Sequence, residues 1–433
     1  MAPAPDTDLR QTTAPNAVSA FQSINTYLRF PTRDQEQWWA NTGPIIARML
    51  ETAGYSLEKQ FQYLIFHSNQ IVPRLGAYTK GPHHHFSPCG LPIELSVNYQ
   101  QKRPGRDHST VRIAIEPLDS FSGTERDPFN TAPMAATVNE LERMRVIKDF
   151  DRELFLFFEP KFALNREEQS SFEVEIPGGA TRKTQGIIAF DLNTETINVK
   201  AYTQPGHKAH LGGVELEPLL TDCLNELKAQ GKIDCLEPWS KVADYVNEIN
   251  GWGFQNLWAW DYVTPSKTRF KFYTWLFDVP DIAKLDELYT LNNRAPSTAQ
   301  AFDALHTFWD TLNPLTALGK RDPIPLYGML LPDNTTPVLL NYEIKAGNPH
   351  PDTKVYFALY GYNDLVCVQQ IARFFELLGW DKLAASYPAT VQSFYPGQDL
   401  SKTSHLLYWM SFAYSDKTGA YTTVYYHANP ELK

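Results

Sequence analysis

Four short runs set basic and phenolic side chains two residues apart: Lys200-Ala-Tyr202, Arg269-Phe-Lys271-Phe-Tyr273, Lys354-Val-Tyr356 and, more loosely, Tyr421-Thr-Thr-Val-Tyr425. Lysine and arginine bring charge and donors, and tyrosine adds a hydroxyl on an aromatic plate. On a strand, residues i and i+2 share a face, so each run makes a small patch of cations and hydroxyls. Four such patches, far apart in sequence, point to one anion site assembled by the fold. An anion with several charges and many oxygens, such as a diphosphate, would be held there by charge-assisted bonds.

Those patches need strands, and the strands come in pairs. The chain opens with two helical segments, 34–51 and 56–72, split at Gly54, before a loop rich in proline and glycine. Alternating or continuous apolar runs then predict strands at 92–99 with 109–117, and at 185–191 with 196–203. Further pairs follow at 254–263 with 268–276, 336–345 with 352–361, and 406–415 with 420–427. Helical stretches separate the pairs, including 138–160, 214–229, 238–249, 281–289, 297–310 and 366–380. Short turns join antiparallel neighbours, so ten strands in hairpins favour an antiparallel barrel. A closed barrel of that size holds a lumen wide enough for organic ligands. A dinucleotide-binding sheet fits poorly, because no GxGxxG occurs and the strands come in twos.

The segment 268–276 poses the question of which face looks inward. One face carries Arg269, Lys271, Tyr273 and Trp275; the other carries Phe270 and Phe272. An isolated barrel would expose the cations. Helices packed outside reverse this, because they bury the apolar face and leave the cations to line the lumen. Unpaired buried cations are costly, so this arrangement predicts an anionic ligand. Lys345, close before Pro349, reads instead as an exposed strand end. In 92–99, Glu94 alternates with Ile93 and Leu95 and reads either as a surface residue or, with the polar face inward, as a chamber carboxyl.

Composition narrows the partners. The 433 residues are 43% hydrophobic and carry a formal charge of −10, which argues against a nucleic-acid surface or anionic membrane as partner. Cys89, Cys223, Cys235 and Cys367 are scattered without CxxC spacing, as expected in a reducing compartment. Residues 1–20 read as a disordered tail and 21–430 as one barrel domain, with no apolar stretch of membrane-crossing length. The expectation is a cytoplasmic protein. Metal-binding signatures such as DDxxD and HExxH are absent; His83-His84-His85 reads as an exposed loop run, and Asp278 and Asp281 as a helix start.

The chain resembles the fungal dimethylallyltryptophan-synthase family of aromatic prenyltransferases. The resemblance runs from Trp38 to Tyr426 and rests on the order and spacing of YSLEKQFQYLIF, VPRLGAY, GLPIELSVN, VRIAIEP, DPFN, TQGIIAFDL, VKAYTQP, KTRFKFY, DTKVYF and SFAYSDKTGAYTTVYYH. It implies an α+β fold: a ten-stranded antiparallel β-barrel with a central chamber, ringed by helices in repeated α-β-β-α units. It implies transfer of a prenyl group, usually dimethylallyl, from its diphosphate to an electron-rich ring, with no cofactor and no essential Mg2+. Carried over by motif, the diphosphate binders are Arg112, Lys200, Tyr202, Arg269, Lys271, Tyr273, Lys354, Tyr356, Tyr421 and Tyr425. Arg112 is the addition to the alternating runs; Arg103 and Arg106 are weaker substitutes. The family often has Gln at position 354, so Lys354 adds charge.

Tyr202, Tyr273, Tyr356 and Tyr425 are then expected to shield the allyl carbocation, and Glu94 to accept the indole N–H as the catalytic carboxylate. Glu116 reads as structural. Several indole-modifying relatives place a lysine in the segment that here reads Gln185-Gly186-Ile187, with Lys183 too early. The final base is therefore open between Glu94, water and released diphosphate. This departure points away from C4-prenylation of free tryptophan and toward a tryptophan-containing cyclic dipeptide or related alkaloid precursor. Trp258, Trp260, Trp409 and Met410 are candidate chamber walls, although a place in the core is the commoner explanation for any one aromatic. A phenol, xanthone or polyketide acceptor is the alternative within enzymes, and a non-catalytic barrel for anionic lipids or metabolites the alternative outside them. The expected partners are a prenyl diphosphate and a small aromatic acceptor, with no nucleic acid or membrane; a homodimer is compatible with the sequence.

Overall fold

The computed structural model describes residues 19–78, 86–100, 109–170, 183–253, 255–327, 331 and 335–430. The expected run His83–His85, the substitutes Arg103 and Arg106, and residues 1–18 of the expected tail lie outside them. Ser19 caps the first helix, α1 (Ala20–Tyr27), by accepting from Gln22 N–H.

Ten strands close on themselves. They are β1 (Ile93–Gln100), β2 (Thr110–Ile115), β3 (Gly186–Leu192), β4 (Ile197–Thr203), β5 (Leu257–Asp261), β6 (Phe270–Leu276), β7 (Val338–Ile344), β8 (Asp352–Ala358), β9 (Leu407–Ser415) and β10 (Gly419–Tyr426). Every neighbouring pair is antiparallel, and β1 pairs with both β2 and β10. Closure removes both sheet edges. All five predicted hairpins are present, with ends shifted by a few residues.

The helices fill the spaces between hairpins in sequence. α2 (Arg33–Thr52) starts where Thr32 accepts from Gln35 N–H, and carries Asp34 and Glu36 in its first turn. α3 (Leu57–Phe66) starts at Ser56 and ends in an irregular turn through Arg74, with Pro73 unable to continue the ladder. After β2 come α4 (Thr131–Leu141), α5 (Glu153–Phe162) and α6 (Arg166–Ser170); after β4, α7 (Pro205–Gly212), α8 (Leu216–Ala229) and α9 (Leu236–Glu248). α10 (Ile282–Thr290) and α11 (Ala299–Leu312) follow β6, and α12 (Asp364–Leu377) and α13 (Asp381–Phe394) follow β8. Asp281 caps α10 by accepting from Lys284 N–H, the helix-start role expected of it.

Two apolar clusters result, one outside the barrel wall and one inside. The outer cluster joins helix faces to alternate strand residues such as Ile113, Phe190, Phe270, Phe272, Val355 and Phe412. Phe158 of α5 sits at one of its joints, with ring centroids 4.9 Å from Trp260 and 5.8 Å from Phe270. Truncating such a ring to alanine costs about 3–5 kcal/mol. Because this layer takes the apolar face of each strand, the polar face is left to the lumen. The inner cluster contains Tyr273, Leu339, Tyr356, Ala358 and Trp409, with Trp275, Tyr202 and Tyr425 packed against it.

Candidate active site

Cross-strand pairing fixes the order of side chains along the lumen, since paired residues share a face. On the even strands a cation comes first and a tyrosine two residues later: Lys200 then Tyr202, Lys271 then Tyr273, Lys354 then Tyr356. On β2, Arg112 takes the cation position, and on β10 Tyr421 comes before Thr423 and Tyr425. The odd strands run the other way, and three of them, β3, β5 and β7, finish at the cation level on an acid. Asp191 pairs with Arg112, Asp261 with Lys200, and Glu343 with Lys271. The lumen therefore has a charged floor below a phenolic layer.

The floor is interlocked. Asp191 contacts Lys200 Nζ and stands 3.0 Å from Arg112 Nε, close enough for an ion pair though not aligned as a hydrogen bond. Asp261 accepts from Arg269 Nε at 2.7 Å and from Lys271 Nζ at 3.2 Å, and Arg269 reaches Glu343 at 3.2 Å. Burial alone would raise these carboxyls, but Arg112 and Lys200 hold Asp191 below the usual range, Lys271 and Arg269 do so for Asp261, and Arg269 and Lys271 for Glu343. The prediction of unpaired cations is thus corrected: four of the five are compensated by acids. The physical reason is that a bare cation cluster could not be buried in the empty protein. Lys354 is the exception: it makes no ion pair or hydrogen bond among the described residues, and Glu343 acts on it only through space. Its ammonium lies 4.6 Å from the Tyr421 ring centroid, and burial lowers it to about 8. Five cations against three carboxylates leave two positive charges in the floor.

Above it the four tyrosines form an arc. Ring centroids are 5.9 Å apart for Tyr202–Tyr273, 6.3 Å for Tyr273–Tyr356 and 6.0 Å for Tyr356–Tyr425. Burial raises all four phenols, so they remain neutral. Tyr421 differs, because it sits in the floor and accepts a hydrogen bond from the Arg112 guanidinium. Burial would raise it too, but Arg112, Lys354 and Lys200 outweigh that and bring it down to about 8.

At the upper end β1 presents Glu94 opposite Ala114 and one inward position before Ser96, the partner of Tyr425. Glu94 makes no hydrogen bond or ion pair among the described residues, and desolvation raises its carboxyl to about 8. Trp275, Tyr327 and Trp409 close the apolar wall, with centroids 5.2 Å apart for Trp275–Trp409 and 5.6 Å for Trp275–Tyr327. Trp409 is the expected wall residue that faces the chamber. Trp258, Trp260 and Met410 instead belong to the outer cluster, because they alternate with inward Ala259, Asp261 and Trp409. Ile187 shares the lumen face through its pairing with Tyr202, while Lys183 stands 5.7 Å from the Phe129 ring and Gln185 bonds His207 at 2.7 Å. Glu116 is buried and accepts from Asn130 and Thr184, as a structural carboxyl does. Lys345 ends β7 in a surface pair with Asp352 at 2.7 Å.

The three floor acids were missed by sequence reasoning. The same alternation reaches them: Ile187, Ala189 and Asp191 form one inward series on β3, and Leu339, Asn341 and Glu343 another on β7. Among the described residues no group of three or more His, Cys, Asp or Glu could hold a metal ion, and no helix is long and apolar enough to cross a membrane. All four cysteines are free thiols.

Known proteins match this chain along nearly its whole length. The family described as tryptophan dimethylallyltransferase matches residues 34–390. Tryptophan dimethylallyltransferase nptA of Emericella nidulans is 50% identical over 418 residues, covering 96% of this chain and 95% of that protein. Deoxybrevianamide E synthase notF of an Aspergillus species is 31% identical, covering 97% and 93%. The crystal structure of NotF in complex with brevianamide F and DMSPP superposes with a TM-score of 0.82, covering 95% of this chain and 99% of that one. That of AnaPT from Neosartorya fischeri, 28% identical, gives 0.79, with 96% and 99% covered. With the ten-stranded barrel, its helical ring and these full-length matches in hand, the chain belongs to the tryptophan dimethylallyltransferase family of aromatic prenyltransferases.

Proposed function

We propose that this enzyme transfers a dimethylallyl group from dimethylallyl diphosphate to an indole ring, without an essential metal. The observation that carries the reading is the stacking of a net-positive floor, a neutral tyrosine arc and a lone desolvated carboxyl along one lumen. Cleavage of the allylic C–O bond puts negative charge on the diphosphate and positive charge on the allyl fragment. Arg112, Lys200, Arg269, Lys271 and Lys354 stabilise the first by fixed charge, the role a metal plays elsewhere. The faces of Tyr202, Tyr273, Tyr356 and Tyr425 stabilise the second and exclude water, while offering no carboxylate to trap it. The indole attacks the cation through a ring carbon, and loss of the ring proton restores aromaticity. An indole N–H supplies the donor that Glu94 lacks, drawing it toward the carboxylate and raising ring electron density.

The acceptor in this reading is a tryptophan-containing cyclic dipeptide. Among the described residues near the upper lumen, Glu94 is an ionisable side chain without a partner, and Arg321 donates to the carbonyls of Tyr360 and Ile324. A free amino acid would bring an ammonium and a carboxylate into this apolar wall, and each would need a partner. Free tryptophan is the second reading, favoured by the 50% identity to a relative named for it.

The test is one competition: the protein with dimethylallyl diphosphate, EDTA, a tryptophan-containing cyclic dipeptide, free tryptophan and a hydroxynaphthalene, with products read by mass spectrometry and NMR. Prenylated cyclic dipeptide in chelator is the expected result. Predominant prenyl-tryptophan would select the second reading, and predominant prenyl-naphthol would overturn the indole assignment. No product from any acceptor, despite tight binding of pyrophosphate, would favour a carrier.

A further inference from the structure

We propose that Tyr421 is the proton donor to the departing diphosphate, a role separate from that of the other four chamber tyrosines. This deepens the prenyl-transfer reading and rests on it. The geometry sets Tyr421 apart. Tyr202, Tyr273, Tyr356 and Tyr425 pack ring to ring in the arc, whereas Tyr421 lies in the charged floor. Its oxygen accepts from Arg112 Nη2, the Arg112 guanidinium carbon is 5.7 Å from its ring centroid, and Lys354 Nζ lies 4.6 Å from that centroid. A phenol that accepts one bond still has its own hydrogen to give. Among the described residues that hydrogen has no acceptor.

The groups around it explain why. Arg112 from β2, Lys200 from β4, Arg269 just before β6 and Lys354 from β8 are cations and cannot accept. Asp191 from β3 faces Arg112 and Lys200; on β9 the register partner is Ala413, and on β1 it is Gln100, whose amide is turned to donate to Asn98 Oδ1 at 3.0 Å. A phosphate oxygen held by these cations is therefore the natural acceptor for the Tyr421 hydrogen. The surrounding cations also make the phenol a stronger acid than tyrosine usually is.

The step balances. The allylic C–O bond breaks with its electron pair going to the diphosphate, and the Tyr421 proton moves to a phosphate oxygen. The products are the allyl cation, a protonated diphosphate and the Tyr421 phenolate, stabilised by Arg112 and Lys354. After the indole attacks, its ring proton leaves to the solvent or the diphosphate, and one proton returns to Tyr421 to close the cycle. Proton donation of this kind gives roughly 10²-fold or more.

The experiment is the pH dependence of single-turnover rate with dimethylallyl diphosphate and the best acceptor, for wild type, Tyr421→Phe and Lys354→Arg. Wild type should lose rate as pH rises past about 8, because the phenol loses its proton. Tyr421→Phe should be about 10- to 100-fold slower with that alkaline limb gone, and the lost rate should exceed the loss of pyrophosphate affinity by about 10-fold. Lys354→Arg keeps the charge but does not titrate in this range, so the limb should remain. An alkaline limb that survives in Tyr421→Phe, or vanishes in Lys354→Arg, overturns the proposal, as does a rate loss matched by lost pyrophosphate binding. If melting shows that Tyr421→Phe is misfolded, the Lys354→Arg profile decides alone. Failure of the transfer reading looks different, since wild type would then give no prenylated product at any pH.

Discussion

At the floor of the lumen five cations and three carboxylates interlock, whereas at its upper end Glu94 is a single carboxyl without a partner among the described residues. Both regions face the lumen, and both are lined from alternate positions of the barrel strands. They answer the cost of burying charge differently. The floor keeps its groups ionised by pairing them, so Asp191, Asp261 and Glu343 stay below the usual carboxylate range. The upper end leaves its carboxyl uncompensated, so desolvation raises it to about 8. In the proposed mechanism the paired floor is pre-formed before the diphosphate arrives, and the unpaired carboxyl takes its donor from the acceptor.

Glu94→Gln is the strongest way to break that comparison. In the proposed mechanism it removes the carboxyl that takes the indole N–H and should slow turnover with indole acceptors by about 100- to 1000-fold, leaving pyrophosphate affinity intact. It should also change stability with pH. The folded protein holds the Glu94 proton up to about 8, well above the unfolded value of 4.5, so the native state binds more protons between these pH values. Stability contributed by this group is therefore lost as pH rises through that window, and the variant should lack the loss. Urea unfolding at pH 5 and pH 8 checks it; an identical decline in both proteins would show that Glu94 is solvated after all.

Asp191→Asn probes the opposite design. It strips Arg112 and Lys200 of their shared counter-ion and should cost about 3 kcal/mol, the scale for breaking a buried pair. Saturating pyrophosphate should recover much of that loss, because the ligand takes over both cations. A cost below about 1 kcal/mol, or one that pyrophosphate does not reduce, would mean that the floor is not electrostatically interlocked.

How much of this could be read in advance follows from the same alternation. The inward order Lys200–Tyr202, Lys271–Tyr273 and Lys354–Tyr356 is visible because both groups on each strand are conspicuous. Asp191, Asp261 and Glu343 obey the same rule, but each stands at a strand end where an acid looks like ordinary solvated charge. Trp258 and Trp260 read equally as walls or as core, since aromatic residues suit either cluster, and the inward pairing of Asp261 beside them decides for the core. α7 and α13 are not legible in the sequence: α7 opens on Pro205-Gly206, a dipeptide that reads as a turn although proline suits a helix's first position, and α13 has Pro388 inside it, where it opposes a helix that tertiary packing supports. The full-length resemblance indicated the fold, but the pairing of charges needed the cross-strand register.

The tyrosine arc lies between the two regions, and Tyr273, flanked at 5.9 Å by Tyr202 and at 6.3 Å by Tyr356, tests what it adds. Tyr273→Phe keeps the π face and should stay within about 3-fold of wild type in turnover. Tyr273→Leu loses it and should fall about 10-fold, with some dimethylallyl alcohol appearing as water captures the cation. If Phe and Leu behave alike, the ring face is not what stabilises the allyl fragment.

The smallest effect should come from a lysine in the same hairpin as one of the floor cations. Lys345 and Lys354 flank the β7–β8 turn, yet Lys345 is half exposed and pairs with exposed Asp352 at 2.7 Å, while Lys354 faces the lumen beside Tyr421. Solvent screens the first pair and ordering two long side chains offsets its attraction, so Lys345→Ala should change stability by less than about 0.5 kcal/mol. Pyrophosphate affinity should be unchanged in Lys345→Ala and weakened in Lys354→Ala, where a desolvated charge with no acid partner is lost. Titration calorimetry of both variants at two salt concentrations makes the comparison. Weakening by more than about 3-fold in Lys345→Ala would mean that long-range charge, rather than the inward register of β8, governs anion binding.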